Sequence, residues 1–167
     1  MFQIMVVEDD INARRLMQAV IEQNGYEAIP ASDGAEALAL MDKKHVDLIV
    51  LDVMMPHMDG YTLARELRSA GNNVPILMVT ARQSAKDKKE GFLAGTDDYM
   101  VKPVDEEEMM LRIAALLRRS RIVSERRLTI GSTTLDYDAH TLIDAAGEHE
   151  LPNKEFMLLY KLLSYPN

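Results

Sequence analysis

The sequence contains no cysteine, which excludes disulfide bonds, thiolate nucleophiles and zinc sites built on thiolates. It also lacks a long uncharged segment, because the longest stretch without Asp, Glu, Lys or Arg covers only residues 69–81. Such a stretch is too short to span a bilayer, so we expect no membrane association. Acidic residues occur within the first ten positions, which predicts that no secretory signal is present. We therefore expect a cytoplasmic protein.

The sequence also has fewer basic than acidic residues. The 19 Lys and Arg residues are outnumbered by 27 Asp and Glu residues, which gives a formal net charge of −8. A chain this acidic is unsuited to coating nucleic acid through bulk charge, although a small basic face is not excluded. The hydrophobic content of 47% supports a packed core. The length of 167 residues allows one ordinary domain and part of a second.

Short apolar runs alternate with amphipathic stretches in residues 1–120. Three strong runs, at residues 4–7, 48–51 and 76–79, are typical of strands buried on both faces of a parallel sheet. Weaker runs lie at residues 27–29 and 99–101. Because helical patterns separate these runs, the sequence predicts an α/β fold with a five-stranded, doubly wound parallel sheet of the flavodoxin-like class.

The composition changes after this region. Residues 121–127 are polar, and we interpret them as a linker. Short strand patterns with turns follow, and apolar side chains recur with helical spacing from Phe156 onward. A small sheet with one apolar helix face is incomplete as a domain, so residues 128–167 are interpreted as the first part of a second domain.

Residues whose side chains can react or bind a metal ion lie just past the ends of the predicted strands. Glu8 and Asp9 follow the first strand, and Asp52 follows the third. Thr80 and Lys102 follow the fourth and the fifth. The strand order 2-1-3-4-5 of the flavodoxin-like class brings these ends into one crevice, where ligands of such sheets bind. Carboxylates that converge need a cation, and Mg²⁺ prefers their oxygen atoms, so we predict a magnesium site beside a phosphoryl-accepting carboxylate, with Asp52 as nucleophile.

Each of these residues also has an ordinary structural explanation. Glu8 and Asp9 suit the first turn of a helix through its dipole. Asp52 suits a turn, and Thr80 suits a helix cap. Lys102, taken alone, is typical of a solvated surface. Their common position at the same end of different strands is what favours a functional site.

Several motifs in residues 1–120 resemble, in order, the receiver domain of bacterial two-component response regulators. These motifs lie at residues 4–10, 51–56, 59–60, 79–82 and 97–103. The resemblance implies that Asp52 accepts a phosphoryl group from a phosphohistidine on a sensor histidine kinase. It also implies that Mg²⁺ is held by Glu8, Asp9, Asp52 and the backbone carbonyl of Met54.

The resemblance further implies a switch. Lys102 pairs with the phosphoryl group, Thr80 bonds one of its oxygens, and Tyr99 rotates inward as Thr80 moves. It also implies that the Lys102–Pro103 peptide bond is cis. A protein of this kind is a phosphoacceptor for signalling rather than an enzyme, and it assists only its own phosphorylation and dephosphorylation.

Six charged residues resemble the set with which the winged-helix class of response regulators, the OmpR/PhoB-like class, forms receiver dimers on phosphorylation. The implied pairs across the two-fold interface are Lys88–Glu108, Asp98–Arg112 and Asp97–Arg119, with Leu111 and Ala115 as apolar contacts. The alternative is that these charges only solvate a surface helix, whose acidic start complements the helix dipole.

Residues 128–167 are similar to the N-terminal sheet and first helix of the winged-helix DNA-binding domain, which is incomplete here. Because the recognition helix and the wing are missing, we expect promoter DNA to be a partner of the full-length protein and not of this chain. Thr96 and residues 151–156 resemble the haem-responsive regulators of Gram-positive bacteria. The alternative function is a receiver that acts only through protein–protein contacts. An enzyme that binds a nucleotide or flavin has little support, since neither glycine-rich phosphate-binding motif is present.

Overall fold

A five-stranded parallel sheet forms the centre of the N-terminal unit, Met1–Leu117. Its strands lie in the order β2-β1-β3-β4-β5, which confirms the predicted fold class and strand order. Edge strand β2 carries Pro30, opposite Val6 of β1. The strands are β1 (Gln3–Val7), β2 (Glu27–Ala31), β3 (Leu48–Asp52), β4 (Ile76–Thr80) and β5 (Asp98–Val101).

The computed structural model describes residues 1–81, 85–136 and 139–164. Arg82 of the 79–82 motif therefore lies outside the described residues, as do residues 165–167 of the predicted second domain.

Five helices connect or follow these strands. Four of them follow a capping aspartate, because the carboxylates of Asp10, Asp33, Asp59 and Asp105 each accept a hydrogen bond from a backbone N–H of the first turn. Within the described residues, no helix has the length and the apolar composition that a membrane span requires. The helices are α1 (Ile11–Gln23), α2 (Gly34–Met41), α3 (Gly60–Ser69), α4 (Ala85–Ala94) and α5 (Glu106–Arg126).

Both faces of the sheet are covered. On one face, Met5 and Val7 of β1 pack in a core with residues of α2, α3 and α4. On the other face, Ile4 and Val6 pack in a second core with residues of α1 and α5. All residues of β3 and β4 are buried, which explains their nearly continuous apolar sequence. Each buried aliphatic side chain contributes about 1.5–3 kcal/mol, so these cores position the strand ends firmly.

The C-terminal unit, Arg118–Asn167, contains an antiparallel sheet and one helix. The sheet has the order β6-β7-β8-β9, and Phe156 of the helix is completely buried. The ring of Phe156 stacks on His140 with centroids 4.9 Å apart and on Tyr160 with centroids 5.8 Å apart. The elements are β6 (Arg127–Ile130), β7 (Thr133–Asp136), β8 (Thr141–Asp144), β9 (Gly147–Glu150) and α6 (Asn153–Ser164).

The segment predicted as a linker is mostly helical. Helix α5 continues to Arg126, and β6 begins at Arg127, so residues 121–127 contain no irregular connection. The two units divide after Leu117 rather than after residue 120. The helix continues through this segment because no Gly or Pro interrupts residues 106–126, and nothing in that stretch ends a helix. The role of residues 121–127 as a linker stays a prediction.

Gly60, the first residue of α3, lies against the end of β3. A Cβ at this position would stand 2.4 Å from the backbone oxygen of Asp52 and 2.9 Å from Cα of Val53. These backbone atoms cannot shift without distorting the strand. We therefore expect Gly60→Ala to lower the free energy of unfolding by about 2–3 kcal/mol, as measured by urea denaturation.

A matched control is Gly91→Ala in α4. A Cβ there would meet no atom closer than 3.4 Å, and alanine favours the helix by about 1 kcal/mol over glycine. The control is expected to be neutral or stabilising. Equal unfolding free energies for the two variants would contradict the crowding at Gly60.

Candidate functional site

Three carboxylates meet at the carboxyl end of the parallel sheet. Strands β1 and β3 are neighbours, with Val7 opposite Leu51, so the residues at their ends come together. Ligand oxygens of Glu8, Asp9 and Asp52 all lie within 4.8 Å of one another. Glu8 is only 1% exposed and Asp52 only 5%, whereas Asp9 is exposed to solvent. The structure thus brings together the acidic residues that the sequence predicted at one crevice.

Lys102 supplies a positive charge to this cluster from the end of β5. Its Nζ donates a hydrogen bond of 2.7 Å to Oε2 of Glu8 and lies 3.5 Å from Oδ2 of Asp52. The peptide bond between Lys102 and Pro103 is cis, as expected. One ammonium group therefore faces two buried carboxylates, and a third carboxylate is close by.

Thr80 and Tyr99 lie on the two adjacent strands that complete the crevice. Thr80 is completely buried at the end of β4, and its carbonyl oxygen accepts a 2.8 Å hydrogen bond from the N–H of Lys102. Tyr99 is buried on β5, opposite Met78 of β4. The switching roles of both residues stay predictions.

Met54 lies in the loop that follows β3. Its backbone N–H donates a 3.3 Å hydrogen bond to Oδ1 of Asp52, which orients that carboxylate. Its side chain is exposed. The proposed use of its carbonyl oxygen as a metal ligand stays a prediction.

The pKa values of the cluster are shifted by burial and by the close charges. Burial raises the pKa of Glu8 from 4.5 to about 7, although the hydrogen bond from Lys102 lowers it in part. Burial also acts to lower the pKa of Lys102, but the hydrogen bond to Glu8 and the charge of Asp52 outweigh it and raise that pKa. The cluster therefore holds a proton more tightly than free carboxylates do.

The donor set fits a small divalent cation. Glu8, Asp9 and Asp52 offer oxygen atoms only, and Lys102 balances one of their three possible negative charges. Hard cations such as Mg²⁺ take oxygen ligands and bind through one or a few carboxylates together with water. A cation at this position would replace the proton on Glu8 and relieve the repulsion between the carboxylates.

The charged set predicted for a dimer interface is partly paired within one chain. The guanidinium of Arg112 donates 2.9 Å hydrogen bonds to both carboxylate oxygens of Asp98. It also donates bonds of 3.0 and 3.1 Å to Oε1 of Glu108, one turn earlier in α5. The intermolecular pairing of Asp98 with Arg112 stays a prediction. The other predicted members are Asp97 and the exposed residues Lys88 and Arg119.

Two apolar residues near this charged set were missed by the sequence reasoning. Phe92 and Leu93, at the end of α4, are 53% and 76% exposed. Leu111 of α5, a predicted apolar contact, is 66% exposed, whereas Ala115 is half-buried. The sequence could have indicated them, because Phe92 and Leu93 are adjacent in a helix and their side chains therefore point in different directions.

The comparisons with known proteins agree with this architecture. The family model of the response regulator receiver domain matches residues 4–114. The heme response regulator HssR of Staphylococcus aureus, strain MRSA252, is 38% identical over 166 residues, which are 99% of this chain and 74% of HssR. The receiver domain of Francisella response regulator 1452 is 35% identical, with a TM-score of 0.69, over 72% of this chain and 99% of that one. DrrB, an OmpR/PhoB homologue of Thermotoga maritima, is 27% identical, with a TM-score of 0.66, over 98% of this chain and 73% of DrrB.

The raised pKa of Glu8 predicts how stability depends on pH in the metal-free protein. The folded state binds this proton more tightly than the unfolded chain, whose pKa is near 4.5. The contribution of Glu8 to stability is therefore fully present below that value and is lost as the pH rises through about 7. With a chelator present, we expect the urea midpoint to fall between about pH 5 and about pH 8, and Mg²⁺ to restore it at the upper pH.

Glu8→Gln is the matched control, because it keeps the shape of the side chain and every other titrating group, including the histidines. We expect the decline in urea midpoint to be smaller in this variant. An identical pH profile in the wild-type protein and the variant would show that Glu8 does not titrate in this range.

Proposed function

Because the chain belongs to the family of response regulators, we propose that its N-terminal unit accepts a phosphoryl group on Asp52 from a sensor histidine kinase. The observation that carries the proposal is the meeting of the buried Asp52 with Glu8, Asp9 and Lys102 at one end of the sheet. The chain spans about three quarters of the length of its HssR relatives. The proposal therefore concerns a phosphorylation-controlled regulator.

The transfer needs little more than positioning and neutralisation of charge. An Oδ atom of Asp52 attacks the phosphorus, a new O–P bond forms, and the P–N bond of the phosphohistidine breaks with its electron pair left on the imidazole nitrogen. Glu8, Asp9, Asp52 and the carbonyl of Met54 would hold Mg²⁺, which supplies positive charge to the phosphoryl oxygens. The ammonium group of Lys102, already 3.5 Å from Asp52, pairs with the same oxygens.

The phosphorylated state is stabilised by groups that lie beside Asp52 in the folded chain. Phosphorylation puts a dianionic group in place of a single carboxylate charge. The hydroxyl of Thr80 and the ammonium of Lys102 close over this group, and Tyr99 moves into the space that Thr80 vacates. The phosphoryl group shifts this equilibrium only by the difference in stabilisation between the two states.

The output of the switch is dimerisation through the face formed by α4, β5 and α5. Its support is the concentration of charged and exposed apolar side chains on these elements. Phe92, Leu93 and Leu111 offer exposed apolar area, which is a property of interaction surfaces. The charged pairs on the same elements select the partner. These pairs are Lys88–Glu108, Asp98–Arg112 and Asp97–Arg119.

Transcription control is the proposed downstream function. The C-terminal unit has the antiparallel sheet and helix with which a winged-helix domain begins, and α6 leaves Met157, Leu158 and Leu162 exposed. Such an apolar face is what further elements of a complete domain would cover. Residues 121–167 have 5 basic and 7 acidic residues, a net charge of −2, so promoter DNA is proposed as a partner of the full-length protein only. The HssR relatives are named heme response regulators, which supports haem as the stimulus.

Phosphorylation is tested with acetyl phosphate as the donor and Mg²⁺ as the cation. We expect intact-mass spectrometry to show the gain of one phosphoryl group, because Asp52 is held beside Lys102 and the metal ligands. Asp52→Ala should abolish the gain. Asp33→Asn, which changes another carboxylate but preserves the cap of α2, should leave it unchanged. Full uptake in Asp52→Ala, or without any divalent ion, would refute the assignment.

Dimerisation is tested by analytical ultracentrifugation of the chain with and without acetyl phosphate. We expect a monomer that becomes a dimer on phosphorylation, and Asp98→Ala should weaken the dimer at least about threefold through the loss of a charged pair. Glu66→Ala, which removes an exposed carboxylate from α3, serves as the control and should have no effect. An Asp98→Ala protein that dimerises as well as the wild type would count against this interface.

A further inference from the structure

The guanidinium group of Arg68, near the end of α3, binds two loops, the one before β4 and the one between α4 and β5. Its Nη1 donates hydrogen bonds to the carbonyl oxygens of Asn72, at 3.0 Å, and Val74, at 2.8 Å, both in the loop before β4. Its Nε donates a 3.0 Å bond to the carbonyl oxygen of Gly95, which follows α4. Its Nη2 donates a 2.9 Å bond to Oδ2 of Asp97, just before β5. This is the end of the sheet opposite the phosphoacceptor.

Gly95 lets the loop approach the aliphatic part of Arg68 closely. A Cβ on Gly95 would lie 2.7 Å from Cγ of Arg68, and the backbone φ of +105° is one that glycine adopts readily. The loop that carries Asp97 therefore rests directly on the Arg68 side chain. This contact, together with four hydrogen bonds, limits the rotation of the guanidinium group.

Asp97 is held at three points. Its backbone N–H donates a 2.9 Å bond to the carbonyl oxygen of Ile76, and its Oδ2 accepts a 2.8 Å bond from the N–H of Ile76. The same Oδ2 accepts the bond from Arg68. Among the described residues, no hydrogen bond reaches Oδ1, and the Asp97 side chain is 42% exposed. A carboxylate has about four acceptor sites, so Oδ1 can still bind a second cation.

We propose that Arg68 is a positioning residue for the dimer: it fixes the carboxylate of Asp97 so that Oδ1 is presented to Arg119 of the partner subunit. The proposal rests on the proposed dimerisation and adds to it a residue outside the α4, β5 and α5 elements. An ion pair at a surface is weak largely because flexible side chains must be ordered to form it. Asp97 is already held by hydrogen bonds in the single chain. Its side chain therefore loses less conformational entropy when the ion pair with the partner subunit forms.

The direction in which removal of Arg68 changes the stability of the dimer distinguishes positioning from competition. If Arg68 competed with Arg119 of the partner subunit for Asp97, removal of Arg68 would strengthen the dimer. Because Oδ2 takes both bonds within the chain, the two cations do not need the same oxygen. We therefore expect removal of Arg68 to weaken the dimer.

The test compares Arg68→Met with the wild-type chain, both phosphorylated with acetyl phosphate and Mg²⁺. We expect the dissociation constant of the dimer to rise about three- to fivefold, while the extent of phosphorylation stays unchanged. Arg65→Met is the matched control on the same helix. It removes an exposed guanidinium whose partner, Glu90, is 3.8 Å away, and it should leave the dimer unchanged.

A double-mutant cycle separates positioning from a general loss of structure. If Arg68 acts through Asp97 and Arg119 of the partner subunit, Arg68→Met should have almost no further effect in an Arg119→Met background. A purely structural defect would weaken both backgrounds equally, and it would also lower the melting temperature of the monomer in proportion. Arg68→Lys, which keeps the charge but not the forked geometry, should behave like Arg68→Met.

The outcomes are distinct. A wild-type chain that stays monomeric after phosphorylation overturns the proposed dimerisation and the role of Arg68 together. A normal or tighter dimer in Arg68→Met, or an equal effect in both backgrounds, overturns the role of Arg68 alone.

Discussion

The structure depends on the accumulation of negative charge at one end of a buried parallel sheet. Parallel pairing of β1 with β3 brings Glu8, Asp9 and Asp52 to the same place, where the side chains of Glu8 and Asp52 are almost completely buried. Lys102, 94 positions later in the chain than Glu8, is the group that compensates this charge within the described cluster. The compensation is partial, as the raised pKa of Glu8 shows. A site in this state gains free energy from further positive charge, which is the property that cation binding and phosphoryl transfer both use.

The edge strand β5 connects this charge to the surface. Its carboxyl end leads into Lys102, its amino end begins beside Asp97, and Tyr99 lies between them. Helix α4 packs on one face of the sheet and α5 on the other, so β5 forms the edge of the sheet between these two helices. In the proposed function, the coupling between the phosphoacceptor and the dimer face would pass through this one short strand.

The sequence was sufficient to predict the sheet and the meeting of Glu8, Asp9, Asp52 and Lys102 at one end of it, because both depend on local patterns. A strand buried on both faces has a continuous apolar sequence, and polar residues placed just past such strands converge whenever the strands are parallel. Three features depended on information that the patterns do not carry. The helical continuation of α5 follows from the absence of a stop signal rather than from polarity. The intrachain pairing of Arg112 with Asp98 and the position of Arg68 depend on which side chains meet in space.

The proline in the outer strand β2 bears on how copies of this protein can associate. Pro30 removes one N–H donor from that edge of the sheet, and a strand with a missing donor is a poor template for another strand. Continuous sheet formation between copies, which is slow to reverse, is therefore blocked on that side. The proposed dimer uses side-chain contacts around β5 instead, and such contacts would separate readily when the charge that favours them is removed. Reversible assembly of that kind would not lead to fibre growth from the proline-containing edge.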